Sequence, residues 1–271
     1  YIGAMLKLIA ASLVCLCAAP SWAQIDFASL GAEMIDVRAV SQWPEHPYTC
    51  RQFSSYDRAS VSPEEADTWF ANGDVNQFIR IDETPITDGV RKEWVMADAR
   101  GPGAIVRIWS PNPKGVLRIY LDHAKTPTIE APMEALLAGN DFVGSPLAQS
   151  QSRGWNLYLP IPYAEHVRIT TDVPGSYYQV NYRTYDAGTK VTTLTLAQLD
   201  ASKGIIADWN KRLAEGAAAG PDLSKMPYLT LEPGGSCASG VESGGGALTS
   251  LAVAVRAKVI GAALRSVVLV A

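Results

Sequence analysis

Residues 101–122, Gly-Pro-Gly-Ala-Ile-Val-Arg-Ile-Trp-Ser-Pro-Asn-Pro-Lys-Gly-Val-Leu-Arg-Ile-Tyr-Leu-Asp, favour one local structure, two strands joined by a turn. Ala104 to Ser110 is apolar and rich in β-formers, and Pro111-Asn112-Pro113-Lys114-Gly115 is turn chemistry. In the second half Leu117, Ile119 and Leu121 alternate with Arg118, Tyr120 and Asp122, the two-residue period of a half-buried strand. The wording recurs near the C-terminus. Gly244-Gly245-Gly246-Ala247-Leu248 repeats the opening, and Leu264-Arg265-Ser266-Val267-Val268-Leu269 echoes Leu117 to Leu121. A hairpin begun twice, about 140 residues apart, implies two copies of one β domain. The second copy stops at Ala271 in mid-strand, so a whole first domain and the truncated start of a second are expected.

Around that hairpin the chain reads as short strands. They are expected at 77–81, 93–99, 104–110, 116–122, 128–131, 155–160, 166–172, 177–185 and 191–195, most of them separated by Gly, Pro or Asn. A short helix over 133–138 and a polar loop through Arg153 interrupt the series, and another short helix is read near 27–34. Ser62-Pro63-Glu64-Glu65 looks like a helix start, with a capping Ser and Pro at the first position. The fold class expected is all-β, an antiparallel jelly roll or β-sandwich. In Tyr178-Gln179-Val180-Asn181-Tyr182-Arg183 the polar members Gln179, Asn181 and Arg183 share one face and line a hydrated surface or cleft.

The one long helix expected lies at 196–215, where Leu196, Leu199, Ile206, Trp209 and Leu213 recur at helical spacing. The domain plan is a signal peptide over 1–23, a first jelly roll over 24–195, the helix, a linker over 216–240 and the start of a second jelly roll over 241–271. The signal reading rests on Lys7, the apolar run from Leu8 to Ala19 and the small residues at Ser21 and Ala23, with cleavage before Gln24. That run is shorter than the roughly 20 residues a membrane span needs. Arg256, Lys258 and Arg265 argue against a span in the tail. An exported protein, periplasmic or extracellular, is therefore expected.

Removing residues 1–23 takes away a single charge, Lys7, from a chain of net charge −4, leaving it more acidic. Acidity disfavours nucleic acid as a partner. Of the cysteines, Cys50 and Cys237 survive signal removal, and their pairing stays open. His46, His123 and His166 have no ligand spacing, so neither a metal nor a cofactor is expected. There is no nucleophile elbow and no phosphate loop.

Carboxylates are the remaining chemistry: Asp57, Asp74, Asp82, Glu83, Asp98, Asp122 and Glu130. Glycosidases work with two, one of them poised as an acid, although a solvated surface role is commoner for any single one. In Asp67-Thr68-Trp69-Phe70-Ala71-Asn72-Gly73-Asp74 large aromatics stand beside Asn and Asp. Two roles are open to Trp69 and Phe70, stacking on a sugar or plugging the end of the sandwich. Tyr56-Asp57-Arg58 can likewise touch a sugar or form an internal hydrogen-bonded corner.

Five segments in order carry a resemblance: Phe53–Arg58, Gly101–Ser110, Leu117–Asp122, Asn156–Tyr163 and Tyr177–Tyr185. Together they resemble the DUF2961 family, which includes glycoside hydrolase family 172. The resemblance covers residues 50–195 densely and 240–271 weakly. It implies two jelly rolls per subunit, assembly into homo-oligomers (trimers or hexamers), and a retaining two-glutamate mechanism on fructofuranosides or arabinofuranosides. It also places the catalytic glutamates in the second domain, so no Glu here inherits that role and the fragment is expected to be inactive. Substrate contact by Tyr56, Asp57, Arg58, Trp69, Asn72 and Asp74 is what the first domain would contribute. The rival reading is a non-catalytic carbohydrate-binding or assembly module. A purely structural exported protein is the third.

Overall fold

The computed structural model describes residues 24–36, 39 and 42–218, so the expectations for 1–23 and 219–271, and for Cys237, fall outside the described residues. Among the described residues eleven strands form two antiparallel sheets. One sheet has the order β1 (Tyr48–Ser54), β11 (Gln179–Tyr185), β4 (Gly103–Ser110), β8 (Gly154–Leu157) and β7 (Ala148–Gln151), with β9 (Ile161–Tyr163) also on β4. The other has β2 (Arg80–Ile86), β3 (Gly89–Arg100), β10 (His166–Thr171), β5 (Val116–Leu121) and β6 (Ile129–Pro132). The chain changes sheet between β1 and β2, β3 and β4, β4 and β5, β6 and β7, β9 and β10, and β10 and β11. That interleaving, β1-β11-β4-β8 facing β3-β10-β5-β6, is a jelly roll. The strand β2 adds a hairpin to one sheet and β7 adds one to the other.

Alternation decides which residues meet between the sheets. Leu117, Ile119 and Leu121 of β5 pack with Val167 and Ile169 of β10 on one side, and Ile105, Ile108, Val180 and Leu157 on the other. Register slips at Ile169/Thr170 against β3 and at Asn181/Tyr182 against β4. Each bulge bends its strand while keeping apolar residues inward on both sides of it. One end of the sandwich is closed by α3 (Met133–Ala138), whose Met133, Leu136 and Leu137 are buried. Gly139 then ends that helix in the left-handed region (φ 79°).

Two helices seal another side. In α1 (Phe27–Ile35), Asp26 caps the helix by accepting from Ser29 N at 2.8 Å. Its Phe27 ring lies 5.0 Å from that of Trp209 in α5 (Lys203–Ala218). The other face of α1 sets Leu30, with Ile25, on Ala104 and Tyr185, which point outward from the six-stranded sheet. Thus α1 covers one end of that sheet's outer face and leaves the rest open.

Several local expectations differ from the structure for physical reasons. The helix read over 196–215 is two, α4 (Leu196–Ala201) and α5, parted at Ser202; a Thr195/Gln198 capping box starts the first. The strand read over 191–195 reduces to one bridge, Val191 with Ile25, because its backbone donors divide between two partners, Thr192 N to the Ile25 carbonyl at 2.8 Å and Leu194 N to the Pro162 carbonyl at 3.0 Å. Pro160 lies between β8 and β9, within what reads as one strand over 155–160. The helix suggested by Ser62 to Glu65 starts only at Ala66 and lasts one turn, α2 (Ala66–Trp69).

A Cβ added at Gly31 would fall inside contact distance of the Trp209 indole. Gly31→Ala should therefore overpack the α1–α5 junction and cost about 1–3 kcal/mol. A urea midpoint unchanged from wild type would show that the two helices do not close on each other this tightly.

Candidate functional site

Where β1 leaves its sheet, Ser55 is gripped twice by Tyr178. The Ser55 N–H donates to the Tyr178 carbonyl at 3.1 Å, and the Ser55 hydroxyl accepts from Tyr178 N at 3.2 Å. The next three residues are those read as sugar contacts, and the structure joins them to the loop that follows. Asp57 accepts from Ala59 N at 3.0 Å and from Gly73 N at 2.6 Å, while its own N–H donates to Asp74 Oδ1 at 3.0 Å. Those backbone donors hold the Asp57 carboxyl below its ordinary pKa. Gly73 is required there, since a Cβ would sit 2.7 Å from Asp57 Oδ2. Arg58 donates to the Ser54 carbonyl at 2.9 Å and lies 4.0 Å over the Tyr56 ring.

So Tyr56, Asp57, Arg58 and Asp74 come together, in the geometry of a hydrogen-bonded corner. Trp69 joins the same loop through its carbonyl, which accepts from Ser60 Oγ at 2.6 Å. Its side chain is 39% exposed, Phe70 is 84% exposed, and neither belongs to the buried core, so they do not plug the sandwich. Asn72 is exposed at the tip. The result is a braced loop that displays Tyr56, Trp69 and Phe70 outward.

A cavity of about 250 Å³ lies at the far end of β1, which sequence reasoning did not find. Trp43 stands at its lip, and Glu33, Tyr48, Arg183 and Tyr185 line it. Arg183 donates to Glu33 Oε2 at 2.9 Å and stacks 4.0 Å from the Tyr48 ring centroid. Burial works against the guanidinium charge, but Glu33 and Tyr185 outweigh it and hold its pKa above the ordinary value. The signal available in sequence was Arg183 itself, read as part of a hydrated face. Nothing local tied Glu33, 150 residues away, to it.

The other carboxylates are committed elsewhere, mostly on the outer face of the five-stranded sheet. Asp98 takes Arg80 at 2.6 Å and His166 at 2.7 Å, and Asp82 takes Arg80 at 2.8 Å and Arg168 at 2.6 Å. Burial pushes both carboxyls up, but these partners together prevail and leave both below the ordinary value. Glu130 pairs with Arg118 at 2.9 Å and Glu83 with Lys92 at 2.9 Å. Asp122 accepts from Glu165 N and His166 N. Glu93, missed in the sequence as a core residue, is fully buried under Tyr120 and Thr170, which donate to it at 2.7 and 3.0 Å. Burial, then Glu93, pushes the Tyr120 phenol up to about 12. Asp82 and Asp98 are thus held ionised rather than poised as acids. Among the described residues, no cluster of three or more His, Cys, Asp or Glu is arranged to hold a metal ion.

Fold and surface together define a β-sandwich domain: a jelly roll with a braced aromatic loop at one end and an Arg-Glu-aromatic cavity at the other. Residues 46–202, more than half of the chain, match the family described as GH172 first beta-sandwich domain. The chain belongs to that family and is a glycoside hydrolase-related protein. No curated protein matches it significantly.

Because the Asp82 and Asp98 pKa values are depressed in the folded state, their stabilisation is complete above the unfolded Asp value near ~3.9 and is lost as pH falls towards the folded values. Melting temperature should thus fall as pH drops below about 4, and Asp98→Asn should flatten that fall. An unaltered acid profile in the variant would contradict the pairing.

Proposed function

We propose that this chain supplies the sugar-contacting, non-catalytic first domain of an exported glycoside hydrolase acting on furanosidic linkages, fructo- or arabinofuranosides. The observation that carries the reading is the braced loop from Tyr56 to Asp74. Its polar groups are tied into one another, and its aromatics remain outside. A rigid loop presenting Tyr56 and Trp69 to stack on sugar ring faces, with Asn72 and the outer lone pairs of Asp57 and Asp74 to meet hydroxyls, loses little entropy on binding. The pairing of Asp82, Asp98, Glu83 and Glu130 with basic partners agrees with a catalytic pair located outside this domain, in other subunits of a trimer or hexamer or in a second domain.

The second reading, a carbohydrate-binding or assembly module without hydrolysis, uses the same loop and differs only in what completes it. Binding of a furanosyl oligosaccharide to the full chain, followed by calorimetry, tests the part common to both. Trp69→Ala should weaken binding roughly tenfold, about 1.4 kcal/mol, at an unchanged melting temperature. Undiminished binding in that variant would remove the loop from the site. Release of reducing sugar by the chain alone would refute the placement of the catalytic pair.

A further inference from the structure

The outer face of the six-stranded sheet, beyond the part α1 covers, carries a straight row of residues across five strands. Ser54, Gln179, Trp109, Asn156 and Gln149 are successive register partners on β1, β11, β4, β8 and β7. At the usual strand spacing of ~4.8 Å the row spans about 19 Å, the reach of a short oligosaccharide. A second row, Gln52, Asn181 and Arg107, lies beside it.

Arg107 organises this surface. Its guanidinium donates to Asn156 Oδ1 at 3.1 and 3.2 Å, to Gln179 Oε1 at 3.0 Å and to Asn181 Oδ1 at 3.4 Å. Three amide oxygens thereby turn to the guanidinium; Asn156 Nδ2 donates to the Gly154 carbonyl at 3.2 Å and Asn181 Nδ2 to Gln52 Oε1 at 2.9 Å, which leaves the Gln179 amide nitrogen as the donor group a ligand meets beside Arg107. The charge at its centre is held only by neutral amides. Among the described residues no carboxylate is within ion-pair distance of Arg107, in contrast to Arg80, Arg118, Arg168 and Arg183. The rings of Trp109 and Tyr158 flank it at 5.9 and 6.0 Å. A Cβ at Gly154 would collide with the Trp109 indole, so the missing side chain lets that indole lie close on β8.

We propose that this face is a second saccharide site, distinct from the loop, which takes an acidic oligosaccharide with a uronate carboxylate seated over Arg107. Aromatic side walls hold sugar rings, the Gln179 amide N–H group binds a ring or hydroxyl oxygen, and the uncompensated guanidinium selects the anion. The site does not depend on the hydrolase reading, since it is measured without turnover and away from Trp69.

The test is calorimetry on the full chain with a galacturonic acid trimer and a galactose trimer. The acidic trimer should bind at least tenfold more tightly than the neutral one, and added salt should weaken it. Gln179→Glu, close in shape and able to pair with Arg107, should cost at least tenfold in acidic-trimer affinity while the fold melts as in wild type. Arg107→Gln should abolish the preference, and Trp69→Ala should leave it intact. Equal affinity for both trimers, no binding of either, or full binding by Gln179→Glu would each overturn the proposal. Self-association dissolved by Arg107→Gln with no saccharide bound would overturn it in favour of a subunit interface.

Discussion

The pairing of β11 with β1 on one side and β4 on the other is the constraint on which the rest of the structure depends. Seven consecutive residues of β11 register with β1, from Tyr48↔Tyr185 to Ser54↔Gln179. Because side chains alternate, that single strand serves two layers. Val180 and Tyr182 face the core, with Tyr182 stacked on Phe53 at 5.1 Å, while Gln179, Asn181 and Arg183 face outward. The same register sets the aromatic loop at one end of β1 and the Arg183 cavity at the other. A one-residue slip would bury three polar groups and expose the core.

The two outer faces solve the problem of a one-layer polar surface in opposite ways. On the five-stranded sheet, charges cancel pairwise, with Asp82, Asp98 and Glu130 each bound to arginine and Glu93 buried beneath its neighbours. Its charges are paired within the face, with Arg91 Nε and Glu93 Oε2 the buried side-chain atoms on it that lack a hydrogen bond among the described residues. On the six-stranded sheet, away from the Arg183–Glu33 pair beside α1, the groups are amides around Arg107. Amides bind without the desolvation cost of a charge, which suits contact with hydroxyl-rich molecules.

Much of the fold was legible in the chain. The strands at 104–110 and 116–121, the alternation of 178–183 and the helix Met133–Ala138 follow from period and punctuation alone. The hairpin read between those two strands does not form: β4 pairs with β11, β8 and β9 and β5 with β10 and β6, so the turn at 111–115 carries the chain from one sheet to the other. The strands that escaped are the edges. Tyr48–Ser54 is an edge strand with polar residues at most positions, and its place comes from β11 rather than from its own pattern. Ala148–Gln151 is polar, and its turn is Ser152-Arg153 with φ of 52° and 63°, a conformation usually signalled by Asn-Gly. The loop residues Tyr56, Asp57, Arg58 and Asp74 were legible as a group. What was not legible is that Asp74, 17 residues on, accepts from the Asp57 N–H while the Asp57 carboxylate accepts from Gly73 N. The cavity escaped because its Glu33 and Arg183 meet only in three dimensions.

The central claim is that sugar is met by the β1–β11 side of the sandwich and not by the charge-paired side. Its most direct test is backbone NMR of the full chain titrated with a furanosyl oligosaccharide. The account predicts that shifted amides cluster in residues 56–77, with the five-stranded sheet silent. Shifts centred on β2, β3 and β10, or none at all at millimolar sugar, would contradict it.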